Sequence, residues 1–282
     1  MIKSIAVLGA GQMGSGIAQV CAQAGYTVTI IDISSDQRDR ALAGISKSLD
    51  KLVAKNLMST ENQKATLARL SFAETLPSTD VDLLIEAVTE NAELKSKLLA
   101  EASATLKPEA IIASNTSSIS LTQLAVRTNR PDKVIGMHFM NPVPLMKLVE
   151  VIRSLTTSDE TFSAIAGVIE TIGKSVVVSQ DAPGFIVNRI LMPMINEAIF
   201  TLHEGIATAE DIDTAMKLGT NQPMGPLALA DLIGLDTCLS IMQVLYDGFN
   251  DSKYRPCPLL KNYVAAGWLG RKSGRGFYCY DK

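Results

Sequence analysis

Short apolar runs alternate with helix-length segments of mixed polarity through the first half of the chain. Residues 4–8, 27–31, 83–87, 110–114, 133–138 and 176–178 read as strands, and 13–24 and 91–106 as helices between them. Alternation of this kind predicts an α/β fold with a parallel, doubly wound sheet. One interval departs from it: residues 36–70 are polar, rich in Lys, Ala, Leu and Ser, with no Pro and a single Gly. That length exceeds an ordinary crossover and predicts a helical hairpin inserted after the second strand. Beyond Asp181-Ala182-Pro183-Gly184 the strand-like runs stop. Segments 185–202, 209–218, 227–245 and 259–266 carry helical patterns. The chain is therefore expected to hold an α/β domain over 1–183 and an all-α domain over 184–282.

Composition narrows the function classes. With 47% hydrophobic and 20% charged residues the chain reads as globular. A net charge of −3 offers nucleic acid or an anionic membrane no bulk attraction. No apolar run approaches the roughly 18 residues of a membrane span. A first strand lying almost at the initial Met is read as leaving no room for a targeting peptide. Cys21, Cys238, Cys257 and Cys279 lack ligand or disulfide-frame spacing, so no metal is expected and a reducing cytoplasm fits.

Gly9-Ala10-Gly11-Gln12-Met13-Gly14 is a GxGxxG pattern. Alone it is weak, but it follows an apolar strand and opens a helical stretch, the context of a dinucleotide-binding Rossmann unit. The first glycine permits the tight turn, the second admits a pyrophosphate, and the third lets helix and strand pack closely. Asp32 closes the next strand and is followed by Ile33, Ser34 and Ser35 rather than a cation. A carboxylate there accepts from both ribose hydroxyls of NAD and repels the extra phosphate of NADP. The bland reading is a helix-capping Asp.

His138 ends the strand 133–138, on the side where open α/β sheets bind ligands. Glu150, in the strand-like run 147–152, returns beside it if the Pro142/Pro144 turn reverses the chain. A carboxylate on one imidazole nitrogen fixes the tautomer and leaves the other for proton exchange. Each residue also reads as structural, His138 as a satisfied strand-end His and Glu150 as a solvent-facing charge. Ser114-Asn115-Thr116-Ser117-Ser118 follows another strand and either meets a ligand or caps a helix. Asn188, in the first turns of the helix after Gly184, is either a second donor or a cap.

Taken together, GAGQMGSGIA, IEAVTEN, SNTSSIS, GMHFMNPVP, LVEVI, DAPGFIVNRIL, NQPMGPLALADLIGLDT and LGRKSGRGFY resemble the L-3-hydroxyacyl-CoA dehydrogenase family over nearly the whole chain. The resemblance is strongest to its short bacterial members acting on 3-hydroxybutyryl-CoA. It implies His138 as acid/base with Glu150 as partner, and Ser117 and Asn188 at the 3-oxygen of (S)-3-hydroxybutyryl-CoA or acetoacetyl-CoA. It implies Glu90, Lys95, Asn115, Ser117, Asn141 and Lys272 at NAD, and Ser48 and Lys55 at the CoA phosphates. It also implies a homodimer or higher homo-oligomer through the C-terminal domain. Lys47, Lys51 and Lys55 share one helical face at i, i+4 spacing, which reads equally as a solvated face. Met140 and Gln222 stand where the family commonly carries Phe and His. The competing readings are a sugar-acid dehydrogenase on the same scaffold and an NAD-binding protein without catalysis.

Overall fold

In the computed structural model, residues 2–76 and 80–280 are described. The chain divides into two compact units, Met1–Ala182 and Pro183–Lys282.

Unit 1 is built on one sheet of eight strands: β1 (Ser4–Leu8), β2 (Thr27–Ile31), β3 (Leu70–Ala73), β4 (Leu83–Glu86), β5 (Ile111–Ser114), β6 (Val134–Phe139), β7 (Leu148–Arg153) and β8 (Ser175–Gln180). Their order is β3-β2-β1-β4-β5-β6-β7-β8. β4, β5 and β6 are buried at every position, as continuous apolar runs covered by helices on both faces should be. The sheet is parallel except at one pair, where the chain returns across the Pro142/Pro144 turn. β7 runs antiparallel to β6 and parallel to β8. The physical reason is length: residues 140–147 are too few for the crossover of roughly a dozen residues that a parallel neighbour demands, so the chain turns straight back.

Helices α1 (Gln12–Gln23), α2 (Ser35–Ala54), α3 (Thr60–Ala68), α4 (Ala92–Thr105), α5 (Leu121–Ala125) and α6 (Asp159–Thr171) belong to unit 1. The inserted hairpin is α2 and α3. Ser34 starts α2 by accepting from the Gln37 N–H, with Asp36 favourably placed in the first turn. Only Ala41, Ile45 and Leu49 of α2 are buried, a single stripe at i, i+4 and i+8. The rest of that long helix is free to be polar because the core asks for only this stripe.

Unit 2 is helical: α7 (Val187–His203), α8 (Ala209–Gly219), α9 (Pro226–Ile233), α10 (Leu235–Phe249) and α11 (Pro258–Ala265). Its core gathers Met192, Ile195, Leu227, Leu235, Met242 and Leu260. Segment 227–245, read from sequence as one helical stretch, is two helices meeting at 99°. Gly234 makes the break, at φ +103, a conformation that few other residues tolerate. Among the described residues no single helix is long and apolar enough to cross a membrane.

Candidate active site

The site grows from the C-terminal end of β1. Gly9 turns the chain at φ +104, and a Cβ there would lie 2.8 Å from the Ala87 carbonyl oxygen. A Cβ on Gly14 would meet the Gly9 oxygen at 1.9 Å, so helix and strand approach this closely only through glycine. At Gly11 the geometry is the opposite: nothing stands within 4 Å of the position a Cβ would occupy. Gly11 is also the N-cap of α1, without a side-chain cap and without an acidic residue in the first turn. An α-helix start that lacks acceptors is an anion site by its own N–H groups and dipole. Met13 packs its side chain against the core, so it offers a ligand only its backbone.

Asp32 follows β2. One carboxylate oxygen accepts from the Ala10 N–H at 2.9 Å and the other from the Ser34 N–H at 2.9 Å. The carboxylate is thereby held beside the glycine turn with lone pairs to spare for a ribose diol. No cation directly follows Asp32, but the first turns of α2 bring one: the Arg38 guanidinium donates to the Asp32 backbone oxygen. These features fit the pyrophosphate and ribose of a dinucleotide.

A buried charge network holds the loop after β5. Glu86, the last residue of β4, is fully buried and pairs in register with Ser114. Its carboxylate accepts from Lys95 Nζ at 2.6 Å, from the Val88 N–H at 2.7 Å and from Ser114 Oγ at 2.5 Å. Lys95, 1% exposed, reaches on to Glu90 at 3.3 Å. Glu90 Oε1 then accepts from Thr116 Oγ1 at 2.6 Å and from the Ser117 and Ser118 N–H groups at 2.9 and 3.1 Å. Burial pushes the Glu90 carboxyl up, but Lys95 and the Thr116, Ser117 and Ser118 donors outweigh it and hold the carboxyl below its ordinary range. Ser117 Oγ lies 3.2 Å from the same oxygen. The ammonium of Lys95 is enclosed by the Glu86 and Glu90 carboxylates and the Val88 carbonyl, and it holds Glu90 beside Ser117.

The β6–β7 register places His138 directly opposite Glu150. Directly opposed residues point to the same face of a sheet, and His138 Nδ1 lies 2.7 Å from Glu150 Oε2. Glu150 is fully buried and His138 only 7% exposed. Asn115 joins β5 to this pair by accepting the Phe139 N–H at 2.9 Å. Asn141, two residues on, accepts from Gln12 Nε2 of α1 at 3.1 Å. The His138–Glu150 pair and the glycine turn are thus tied together through residues 139–141.

Beside the glycine turn, α1, α2 and Pro142 and Pro144 enclose a cavity of about 400 Å³ that Ser48 lines. Lys55, the C-cap of α2, is exposed and does not line it. Asn188 lies in the first turn of α7 and is 9% exposed. Lys272 Nζ lies 2.7 Å from Asp236 Oδ2 within unit 2. No group of three or more His, Cys, Asp or Glu among the described residues could hold a metal.

Three residues of the site's scaffold escaped the sequence reading. Glu86 sits four residues before Glu90 and closes an apolar strand; a charge ending such a run is the signal that was available. Asp181 caps α5 through the Leu121 and Thr122 N–H groups and takes Ser120 Oγ at 2.7 Å. Lys174 is largely buried yet follows an unremarkable Ile-Gly, with nothing local to mark it.

Residues 4–182 match the family described as 3-hydroxyacyl-CoA dehydrogenase, NAD binding domain, and residues 184–280 its C-terminal domain. The chain is 57% identical over 281 residues to 3-hydroxybutyryl-CoA dehydrogenase of Bradyrhizobium diazoefficiens, covering 99% of this chain and 96% of that one. It is 48% identical to 3-hydroxybutyryl-CoA dehydrogenase of Clostridioides difficile, over 99% of each chain. The crystal structure of (S)-3-hydroxybutyryl-CoA dehydrogenase from Ralstonia eutropha superposes with a TM-score of 0.96 at 50% identity, over 100% of both chains. The glycine turn, the carboxylate after β2 and a match that spans both units leave one assignment: the chain is an NAD-dependent oxidoreductase and belongs to the 3-hydroxyacyl-CoA dehydrogenase family.

Proposed function

We propose that this chain interconverts (S)-3-hydroxybutyryl-CoA and acetoacetyl-CoA, with His138 and Glu150 as its acid/base pair. The observation that carries the reading is the 2.7 Å contact between a buried carboxylate and His138 Nδ1 on the strand end next to the glycine turn. The names of the relatives support the substrate. When bound, NAD+ would accept the hydride from C3 in oxidation, and NADH would supply it in reduction. Glu150 fixes the imidazole tautomer and stabilises the imidazolium, so proton exchange with the 3-oxygen runs through Nε2 of His138. In oxidation Nε2 takes the hydroxyl proton; in reduction it returns one to the oxygen. General catalysis of this kind is worth about 10²–10⁴-fold. Ser117 and Asn188 orient the 3-oxygen, and Ser48 and Lys55 take the CoA phosphates.

The test is the loss of NADH absorbance on adding acetoacetyl-CoA, with acetoacetate and NADPH as controls. Turnover that requires both NADH and the thioester supports the reading. NADH binding without turnover of the thioester sinks it and turns attention to a hydroxy acid free of CoA.

A further inference from the structure

The β6–β7 connection carries Asn141 to the glycine turn and joins the strands of His138 and Glu150; Asn141 and the buried Val143 anchor it on the α1 side, and its carbonyls are held from the other. Its internal turn uses one carbonyl: the Leu145 and Met146 N–H groups both donate to the Pro142 oxygen, at 3.0 and 3.1 Å. The Val143 and Met146 carbonyls go elsewhere. Both accept from Lys174 Nζ, each at 2.6 Å.

Lys174 is not a surface lysine that happens to bend inward. It is 9% exposed. Its backbone is fixed by the C-terminus of α6: Gly173, at φ +72, donates to the Glu170 oxygen and Lys174 to the Ile169 oxygen. That paired pattern sets the direction in which the chain leaves the helix. The side chain then has one course, into the hollow between the connection and the end of α1, where Lys147, Pro144 and Gln23 also line a cavity. Burial, and then the nearby Lys147, pull its ammonium below the ordinary lysine range. A charge held in such a place costs energy unless its hydrogen bonds are made, and here they are made to the connection. From the other side, Val143 presses on α1: a Cβ on Gly16 would lie 2.8 Å from Val143 Cβ.

We propose that Lys174 is a positioning residue for NAD: by clamping the Val143 and Met146 carbonyls it holds residues 141–144 against α1 and the glycine turn. It touches neither the reacting atoms nor the His138–Glu150 pair, which the β6–β7 ladder keeps in register by itself. The clamp therefore acts on dinucleotide affinity and not on proton transfer. The inference rests on the NAD site described above.

The experiment compares Lys174→Met, Lys174→Gln and Lys174→Arg with the parent protein, at a temperature well below every melting point. NADH dissociation constants come from fluorescence titration, and kcat is measured with acetoacetyl-CoA at saturating NADH. Lys174→Met is expected to weaken NADH binding about tenfold, as loss of two charge-assisted bonds to a ligand-facing segment should, with kcat within about twofold. Lys174→Gln should fall between, and Lys174→Arg, which keeps donors and charge, should recover most of the affinity. A role in stability alone would lower the melting temperature and leave the dissociation constant unmoved. NADH affinity within twofold of the parent in the folded Met or Gln variant overturns the proposal; should Lys174→Met not fold, the Gln and Arg pair decides in the same way. If the parent protein itself fails to bind NADH, the NAD site falls and the proposal with it.

Discussion

Helices α1 and α9 both begin at a glycine that supplies no side-chain cap, Gly11 in one case and Gly225 in the other. At α9 the N–H groups are met from within the protein. Asp213 of α8 accepts the Leu227 N–H at 2.8 Å and the Ala228 N–H at 2.9 Å, and Tyr278 donates its hydroxyl to the same carboxylate at 2.8 Å. A Cβ on Gly225 would lie 2.3 Å from that carboxyl group. At α1 the corresponding space is open, and the nearby carboxylate of Asp32 takes the Ala10 N–H before the helix starts. A helix start wants a negative group in either case. In unit 2 the fold provides it and gains stability; in unit 1 the fold withholds it and gains a cofactor site. Glycine before a helix therefore signals close approach, and only the distant carboxylate decides what approaches.

The largest effect should follow from closing the α1 turn itself. Gly14→Val places carbon where 1.9 Å separates the Cβ position from the Gly9 oxygen, so NADH binding should vanish and soluble yield collapse. Wild-type affinity in that variant would remove the close approach from the account. Next comes the conversion of one helix start into the other. Gly11→Asp puts a carboxylate where α1 has none; its backbone, at φ −67, accepts any residue. NADH binding should weaken by about 100-fold or more, the cost of a like charge beside the pyrophosphate in a confined site. The melting temperature should hold or rise, since a capping Asp contributes about 1 kcal/mol. Retained NADH affinity would show that the pyrophosphate lies elsewhere.

The reverse operation removes the internal carboxylate. Asp213→Ala leaves the Leu227 and Ala228 N–H groups without their acceptor and the Tyr278 hydroxyl with only the Ala209 carbonyl, at a cost of about 2–4 kcal/mol in chemical denaturation. NADH affinity below the transition should be unchanged, because the loss lies in unit 2. The smallest effect concerns pH. Glu90 satisfies the Ser117 and Ser118 N–H groups as Asp213 satisfies those of α9, and its carboxyl is held below the ordinary range by Lys95 and its donors against the opposing push of burial. The stabilisation from a lowered carboxyl is complete above the unfolded value of about 4.3 and is lost as pH falls through the folded one. Asp82 extends the same limb: burial raises its carboxyl, but Lys107 and the Ser4 and Lys3 N–H groups bring it down to about 2. Melting temperature against pH should therefore fall steadily below about pH 4.5, and more shallowly in Glu90→Gln; identical slopes would rule out the Glu90 contribution.

What could be read in the sequence was what repeats along it. Apolar runs marked β1, β2, β4, β5, β6 and the middle of the edge strand β8, whereas β3, only four residues with Ser71 exposed, carries too short a run to stand out. The reversal of β7 was legible only through the Pro142/Pro144 turn and the shortness of residues 140–147, because the pattern within a strand does not report its direction. Gly234 was visible as a glycine, but its break between α9 and α10 depends on a positive φ that periodicity cannot report. The site divides in the same way. The glycine turn, Asp32 and the 114–118 cluster follow apolar runs and announce themselves. Glu86, Asp181 and Lys174 act on partners 28, 59 to 61, and 28 to 31 residues away in the chain, and only the fold brings those partners within reach.

In the proposed mechanism His138 and Glu150 move the proton while the glycine turn, separately, holds the dinucleotide. Single-turnover NADH oxidation by acetoacetyl-CoA in His138→Gln and Glu150→Gln, with NADH dissociation constants measured alongside, tests it most directly. The turnover rate should fall about 10²–10⁴-fold in His138→Gln and less in Glu150→Gln, with NADH affinity within twofold of the parent in both. A His138→Gln protein that binds NADH normally and turns over at close to the parent rate would contradict the mechanism.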